Sequence, residues 1–183
     1  MYHIKNDRRA RNSAELICQG LMRCLEQKNF EDITISDIQR ESTVSRSTFY
    51  RSFDGMSDVL ELMCDRGFEE IFSGAMSSGG EMSLKEQVFS YWFEHSRILE
   101  ELVRIHRTDI FQNSFRKNAM ELESLRFLAT DPDRYDYFVS IIVGVMVAML
   151  VTWVEHGKKE TKEQLRSVIQ AEFQAVSILG IMG

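Results

Sequence analysis

One short stretch, residues 33–60, packs two helix starts and a tight turn together, and few folds can absorb that pattern. Thr34 precedes Ile35-Ser36-Asp37-Ile38, with Asp37 three residues on. A hydroxyl and a carboxylate at that spacing can each take a free backbone N–H of a first helical turn, the capping-box arrangement. Ser45 stands in the same relation to the run Arg46-Ser47-Thr48-Phe49-Tyr50, where its hydroxyl can cap a second helix. Ser42-Thr43-Val44 is left to make the turn between them. The second run is polar at its head and aromatic behind. That is the layout of a helix-turn-helix, whose second helix offers its N-terminal side chains to base edges while bulkier residues fix its position.

The stretch Val44-Ser45-Arg46-Ser47-Thr48-Phe49-Tyr50-Arg51-Ser52-Phe53 closely resembles the DNA-binding signature of TetR/AcrR-type transcription regulators. The likeness extends to Asn29-Phe30-Glu31-Asp32-Ile33-Thr34 upstream and Val59-Leu60 downstream, and covers the first third of the chain. It implies an all-α protein. An N-terminal three-helix DNA-binding module, residues 1–54, would carry a C-terminal helical domain, residues 55–183, for dimerisation and effector binding. It also implies that Thr48 and Tyr50 contact phosphates and that Arg46 and Ser47 reach base edges, with Thr34, Ser45 and Arg51 completing the DNA-binding set. Arg46 could make a bidentate contact to guanine. Phe49 and Phe53 are expected in the core. Three positions depart from the family pattern. Met56 stands where a lysine is common, Gln39 replaces a small residue, and Thr43 replaces the glycine or asparagine of the turn. A β-branched residue tolerates positive φ poorly.

Net charge is −6, unexpected for a DNA binder, but it is unevenly spread. Residues 1–54 hold nine Lys/Arg against eight Asp/Glu, a balance of +1, which leaves −7 for the rest. Steering depends on the local face rather than the total. The cluster Lys5, Arg8, Arg9 and Arg11 could serve as a basic arm that reaches phosphates or a minor groove, or be a frayed, solvated terminus. The three cysteines, Cys18, Cys24 and Cys64, make no disulfide framework, which fits a reduced, cytoplasmic setting. No signal-peptide layout is expected at the N-terminus.

Hydrophobic periodicity supplies the remaining helices. Ala14, Ile17, Cys18, Leu21, Met22 and Leu25 form one stripe of a helix over residues 7–28. A fourth helix is expected over 57–72, a Gly/Ser loop over 73–82, and a capped helix start at Ser83. Two or three helices should follow over 88–128, broken near His95 and at 106–108. Asp131-Pro132 should cap a helix running to His156, ended by Gly157. Thr161-Lys162-Glu163-Gln164 is a further capping box. The run 138–154 is almost wholly apolar but short for a membrane span, so no membrane partner is expected. A helix apolar all round must be buried all round. A second copy can cover what one chain leaves open, and in the resembling family the last two helices do this. The expected dimer interface is Ile142, Gly144, Val145, Ala148, Val168, Phe173 and Val176.

Aromatic and methionine residues crowd the C-terminal part, and such residues line apolar pockets as readily as they fill cores. A pocket among the middle helices is expected from Phe68, Phe89, Trp92, Phe111, Phe115, Phe138, Met146 and Met149, open to a small apolar or aromatic effector. His95, His106 and Cys64 lack metal-ligand spacing, so no metal or cofactor is expected. No catalytic constellation stands out, and no enzyme activity is expected. The function expected is a homodimeric DNA-binding transcription regulator on a near-palindromic double-stranded operator, a repressor released by an effector. The alternative is a helical coregulator acting through protein partners with a weakened DNA-binding head. Met56, Thr43 and the slight +1 balance favour that alternative.

Overall fold

Asp7 accepts a hydrogen bond from the Ala10 amide at 2.8 Å and starts α1, Arg8–Leu25. The computed structural model describes residues 1–77, 84–126 and 131–178. Ala14, Ile17, Cys18, Leu21 and Leu25 of the expected stripe are buried, and Cys24 joins them. The helix stops three residues before the expected end, because the Gln27 and Lys28 amides both turn back to the Cys24 carbonyl. A 3-10 turn over Phe30–Asp32 leads to Thr34. There the capping box closes both ways: the Asp37 amide donates to Thr34 Oγ1 at 3.2 Å, and the Thr34 amide to Asp37 Oδ2 at 3.0 Å. It begins α2, Ile35–Ser42. Ser45 Oγ accepts from the Thr48 amide at 3.2 Å and begins α3, Arg46–Tyr50.

Gly20 sets how closely α1 and α2 approach. A Cβ on it would lie 2.9 Å from Ser42 Cβ and 3.2 Å from the Ser42 backbone nitrogen. Ser42 itself is buried, and its hydroxyl accepts from the Val44 amide at 3.1 Å, which shapes the turn. Thr43 occupies that turn at φ 60°, ψ 8°. A left-handed conformation costs an L-residue about 1–2 kcal/mol. Glycine avoids the clash but loses about 0.5–1 kcal/mol more on ordering. Thr43→Gly is therefore expected to stabilise the fold by roughly 0.5 kcal/mol, read as a higher urea midpoint. An unchanged or lower midpoint would show that the turn is unstrained.

Helix α4, Met56–Ser77, is longer than its expected span. Residues 73–77, expected as the start of a loop, continue the helix. Gly and Ser weaken a helix only modestly, and the last described turns are anchored by buried Phe68, Ile71 and Phe72. Ser73 Oγ adds a bond to the Glu70 carbonyl at 3.0 Å. The rest of the loop and the cap at Ser83 lie outside the described residues.

The expected two or three middle helices are four pieces: α5, Leu84–Glu94; α6, Ser96–Arg104; α7, Thr108–Met120; and the short α8, Glu123–Arg126. The breaks fall at His95 and at 105–107, with His106 at φ 55°, and a further one follows Met120. Pro132 opens a 3-10 turn, Pro132–Arg134, before α9, Tyr135–Glu155, rather than the helix itself. Helix α9 ends in a Schellman motif. Gly157, at φ 76°, donates to the Val154 carbonyl at 2.8 Å, and Lys158 to Trp153 at 2.9 Å. Thr161 and Gln164 close a capping box at 2.9 and 3.3 Å, and α10, Lys162–Ile178, follows.

Among the described residues the fold is all-α, with no strand beyond an isolated bridge between Tyr2 and Phe53. Helix α4 runs from the α1–α3 head into the C-terminal helices, packing on α1, α5 and α7, while α7 packs on α9. Helix α9 is long and apolar enough to cross a membrane by composition, yet Val139, Val143, Met146, Leu150 and Trp153 are core. Helix α6 also touches the head. Arg97 donates to the Leu25 carbonyl at 2.5 Å and Arg104 to Asn29 Oδ1 at 2.6 Å. Between them lies the fully buried Glu101 carboxylate, ion-paired with Arg97 at 3.0 Å and Arg104 at 3.3 Å.

Candidate nucleic-acid interface

Helix α3 is short, and its two faces are distinct. Phe49 and Phe53 are buried against each other with ring centres 5.4 Å apart, fastening the helix to the head. Arg46, Ser47 and Arg51 are exposed on the other side, and Tyr50 is 50% exposed. Tyr50 meets the Phe49 ring edge-on at 5.5 Å. Thr48 is half-buried, and its Oγ1 contacts Ser45 Oγ and receives the Arg51 guanidinium, both at 3.0 Å. Ser47 Oγ lies 3.0 Å from Ser45 Oγ. The hydroxyls of Ser45, Ser47 and Thr48 thus form one polar cluster at the head of α3. Thr34 is exposed at the cap of α2.

Asp37 decides which nearby cations are free. Its buried carboxylate takes Lys28 Nζ at 2.9 Å, Thr34 Oγ1 at 2.7 Å and an Arg40 nitrogen at 2.9 Å. Lys28 first, then the Thr34 amide and hydroxyl, hold its carboxyl well below the usual carboxylate range. Lys28 and Arg40 are therefore committed to the scaffold. Met56 is half-buried and packs on the core at the first position of α4.

The N-terminal arm also reaches this face. Lys5 and Arg9 share with Thr48, Arg51, Ser13 and Ser52 a cleft of about 300 Å³. Of the basic cluster expected as an arm, only Lys5 precedes the helix; Arg8, Arg9 and Arg11 form the first turn of α1, because Asp7 caps the helix there. The arm's placement depends on the bridge from Tyr2 to Phe53, which no local pattern marks.

The residues singled out as pocket lining are dispersed. Phe68, Trp92, Phe111 and Phe115 are fully buried against one another at ring separations of 4.5–5.1 Å. Met146 is buried, and Phe138 is half-buried beside Tyr135 at 6.3 Å. Phe89 instead lines a cleft of about 130 Å³ between α5 and α10 with Phe93, Leu165 and Ile169. Met149 lines a groove of about 360 Å³ between α9 and α10 with Val145, Ala148, Trp153 and Val168. Of the residues singled out for dimerisation, Ala148 and Val168 are exposed and Ile142 and Val145 half-buried, while a Cβ on Gly144 would meet nothing within 4 Å. Phe173 and Val176 lie on α10, their side chains outside the described residues. Among the described residues no cluster of three His, Cys, Asp or Glu is placed to hold a metal. Burial pushes the Cys18 thiol up to about 12 and raises that of Cys64.

Residues 17–63 match the family model described as "Bacterial regulatory proteins, tetR family", and residues 83–174 match the one described as "Transcriptional regulator C-terminal region". The chain belongs to the tetR family. Its matched segments are thus the helix-turn-helix DNA-binding domain and the regulator C-terminal region of that family. A relative in Bacillus subtilis (strain 168), the uncharacterized HTH-type transcriptional regulator YxbF, is 36% identical over 83 residues, 44% of this chain. The match spans 22%, about a fifth, of that relative's length. Among solved structures, Lin0861 from Listeria innocua superposes on this TetR-family chain with a TM-score of 0.75 at 17% identity, over 95% of this chain and 96% of the other. The multidrug binding protein EbrR complexed with imidazole gives 0.53 at 17% identity, over 86% and 93%. At such identities the likeness is one of fold.

Proposed function

We propose that this regulator is a cytoplasmic homodimer that represses transcription from a near-palindromic operator and is released by a small apolar or aromatic effector. Residues 1–54 form its DNA-binding unit and 55–183 its dimerisation and effector unit. The observation that carries this reading is the two-sided α3, with Phe49 in the core and Arg46, Ser47 and Tyr50 offered outward. Arg46 and Ser47 read base edges, while Thr34, Ser45, Thr48, Tyr50 and Arg51 position the helix on phosphates. Two copies are held by the open face of α9 and α10. Tyr137 is 68% and Ile141 55% exposed there, beside Ala148 and Val168. An isologous pairing of that face would place two α3 helices about a two-fold axis. The α5/α10 cleft, floored by Phe89 and Phe93, suits an effector the size of a single aromatic ring. An effector releases the operator only through unequal affinity for the two states.

Selection of bound duplexes from a random-sequence pool tests the reading. The expected product is an inverted repeat with half-sites about one helical turn, or a multiple of it, apart. A pool that stays unenriched in sequence while the protein retains salt-sensitive binding would contradict it.

A further inference from the structure

The N-terminal arm is fastened at its inner end. The His3 amide donates to the Ser52 carbonyl at 2.9 Å, beside the Tyr2–Phe53 bridge. Tyr2 then turns inward, and its hydroxyl donates to Asp65 Oδ2 on α4 at 2.5 Å. Lys117 of α7 donates to the same oxygen at 2.6 Å, with its nitrogen 5.7 Å from the Tyr2 ring centre. The Asp65 side chain is 2% exposed, and its other oxygen, Oδ1, is buried without a hydrogen-bond partner. A buried carboxylate is costly unless compensated. Here the compensating contacts fall on one oxygen and come from two places, the arm and α7. Burial and the bond to Asp65 raise the Tyr2 phenol to about 12, so it remains a donor at neutral pH.

Lys5 of the arm and Arg9 of the first turn of α1 bring charge to the recognition helix. Lys5 and Arg9 border the cleft that also includes Thr48 and Arg51. Asp7 is on its wall too, but one of its oxygens is engaged with the Ala10 amide. Arg51 is oriented by its bond to Thr48 Oγ1. Three cations against one carboxylate, beside serine and threonine hydroxyls, is the chemistry that holds a phosphate.

We propose that the arm is a tether linking DNA affinity to the C-terminal helices. Its outer part, through Lys5, closes a backbone-phosphate site with Arg9 of α1 and with α3, and its inner end is fastened by Tyr2 to the Asp65–Lys117 seam between α4 and α7. The proposal rests on the reading that α3 enters the DNA. A shift of α7 against α4 changes the anchorage of Tyr2 and so the position of Lys5 relative to Arg9, which is held in the first turn of α1. The signal needs no movement of α3 itself.

The test is duplex binding by the full chain over a series of salt concentrations, for wild type, Lys5→Gln/Arg9→Gln, Tyr2→Phe and the combination. Lys5 and Arg9 are exposed, and Tyr2→Phe keeps the ring and leaves Asp65 paired with Lys117, so each variant is expected to fold. Removing the two cations should weaken binding to any sequence and lower the salt slope by about one unit. Tyr2→Phe should weaken binding several-fold in the wild-type background and add nothing once Lys5 and Arg9 are replaced. An unchanged slope in the double variant overturns the phosphate site. A Tyr2→Phe effect that is absent, or equal in both backgrounds, overturns the tether. Tyr50→Ala separates the two readings. If it weakens binding while the arm variants do not, only the tether falls; if neither it nor the arm variants alter binding, the assignment of α3 falls with it.

Discussion

Phe68→Ala is expected to cost about 3–5 kcal/mol of unfolding free energy, the range for a large aromatic removed from a packed core. Phe68 is fully buried on α4 and stacks on Phe115 at 4.5 Å, with Trp92 and Phe111 each at 5.1 Å. Those rings come from α5 and α7, so a single side chain joins three helices. The site has little room to collapse. Trp92 is already pressed against Gly67, where a Cβ would lie 2.8 Å from the indole. Typical domains have only about 5–15 kcal/mol in total. Urea unfolding followed by tryptophan fluorescence, with Trp92 in the cluster, measures the loss. A cost below about 1.5 kcal/mol would mean that the ring lines space rather than fills it.

The second large effect concerns assembly. Ala148→Glu is expected to convert a micromolar dimer to monomer and to lower operator affinity by about two orders of magnitude or more, since each half-site would then be bound alone. Ala148 is exposed on α9, so one chain can accommodate the glutamate without repacking. In an isologous interface through this face the same substitution buries one carboxylate from each copy, each without a partner. Interfaces of obligate dimers often bury more than about 2,000 Å². Sedimentation velocity reads the outcome directly. A wild-type chain that sediments as a monomer, or a variant that stays dimeric, would remove this face from the account.

What could be read from the sequence was local. The caps at Thr34, Ser45 and Thr161 each need side chain and amide only three residues apart. Gly157 ends α9 through bonds spanning three and five residues. Such signals placed the helix starts and ends and made the helix-turn-helix legible, and the family resemblance carried by that motif implied the all-α architecture. What escaped depends on distant partners. Gly20 is set by Ser42 and Gly67 by Trp92. Asp65 is compensated by Tyr2 and Lys117, residues 63 and 52 positions away. Glu101 supports arginines that reach Leu25 and Asn29. Neither composition nor period marks these pairs. Aromatic content was ambiguous in another way: Phe68 and Phe89 read alike in the sequence, yet one is packed among rings and the other borders a cleft. At the end of α4 glycine and serine suggest a loop, while the packing of Phe68, Ile71 and Phe72 carries the helix past residue 72.

In the proposed function the head of α3 reads base edges. The most direct measurement is an affinity scan over single base-pair substitutions at every position of the selected operator, for wild type and Arg46→Ala. Arg46→Ala is expected to abolish discrimination at one symmetric pair of positions, worth about 1–3 kcal/mol, and to leave preferences elsewhere unchanged. A profile for Arg46→Ala that parallels wild type at every position would contradict it.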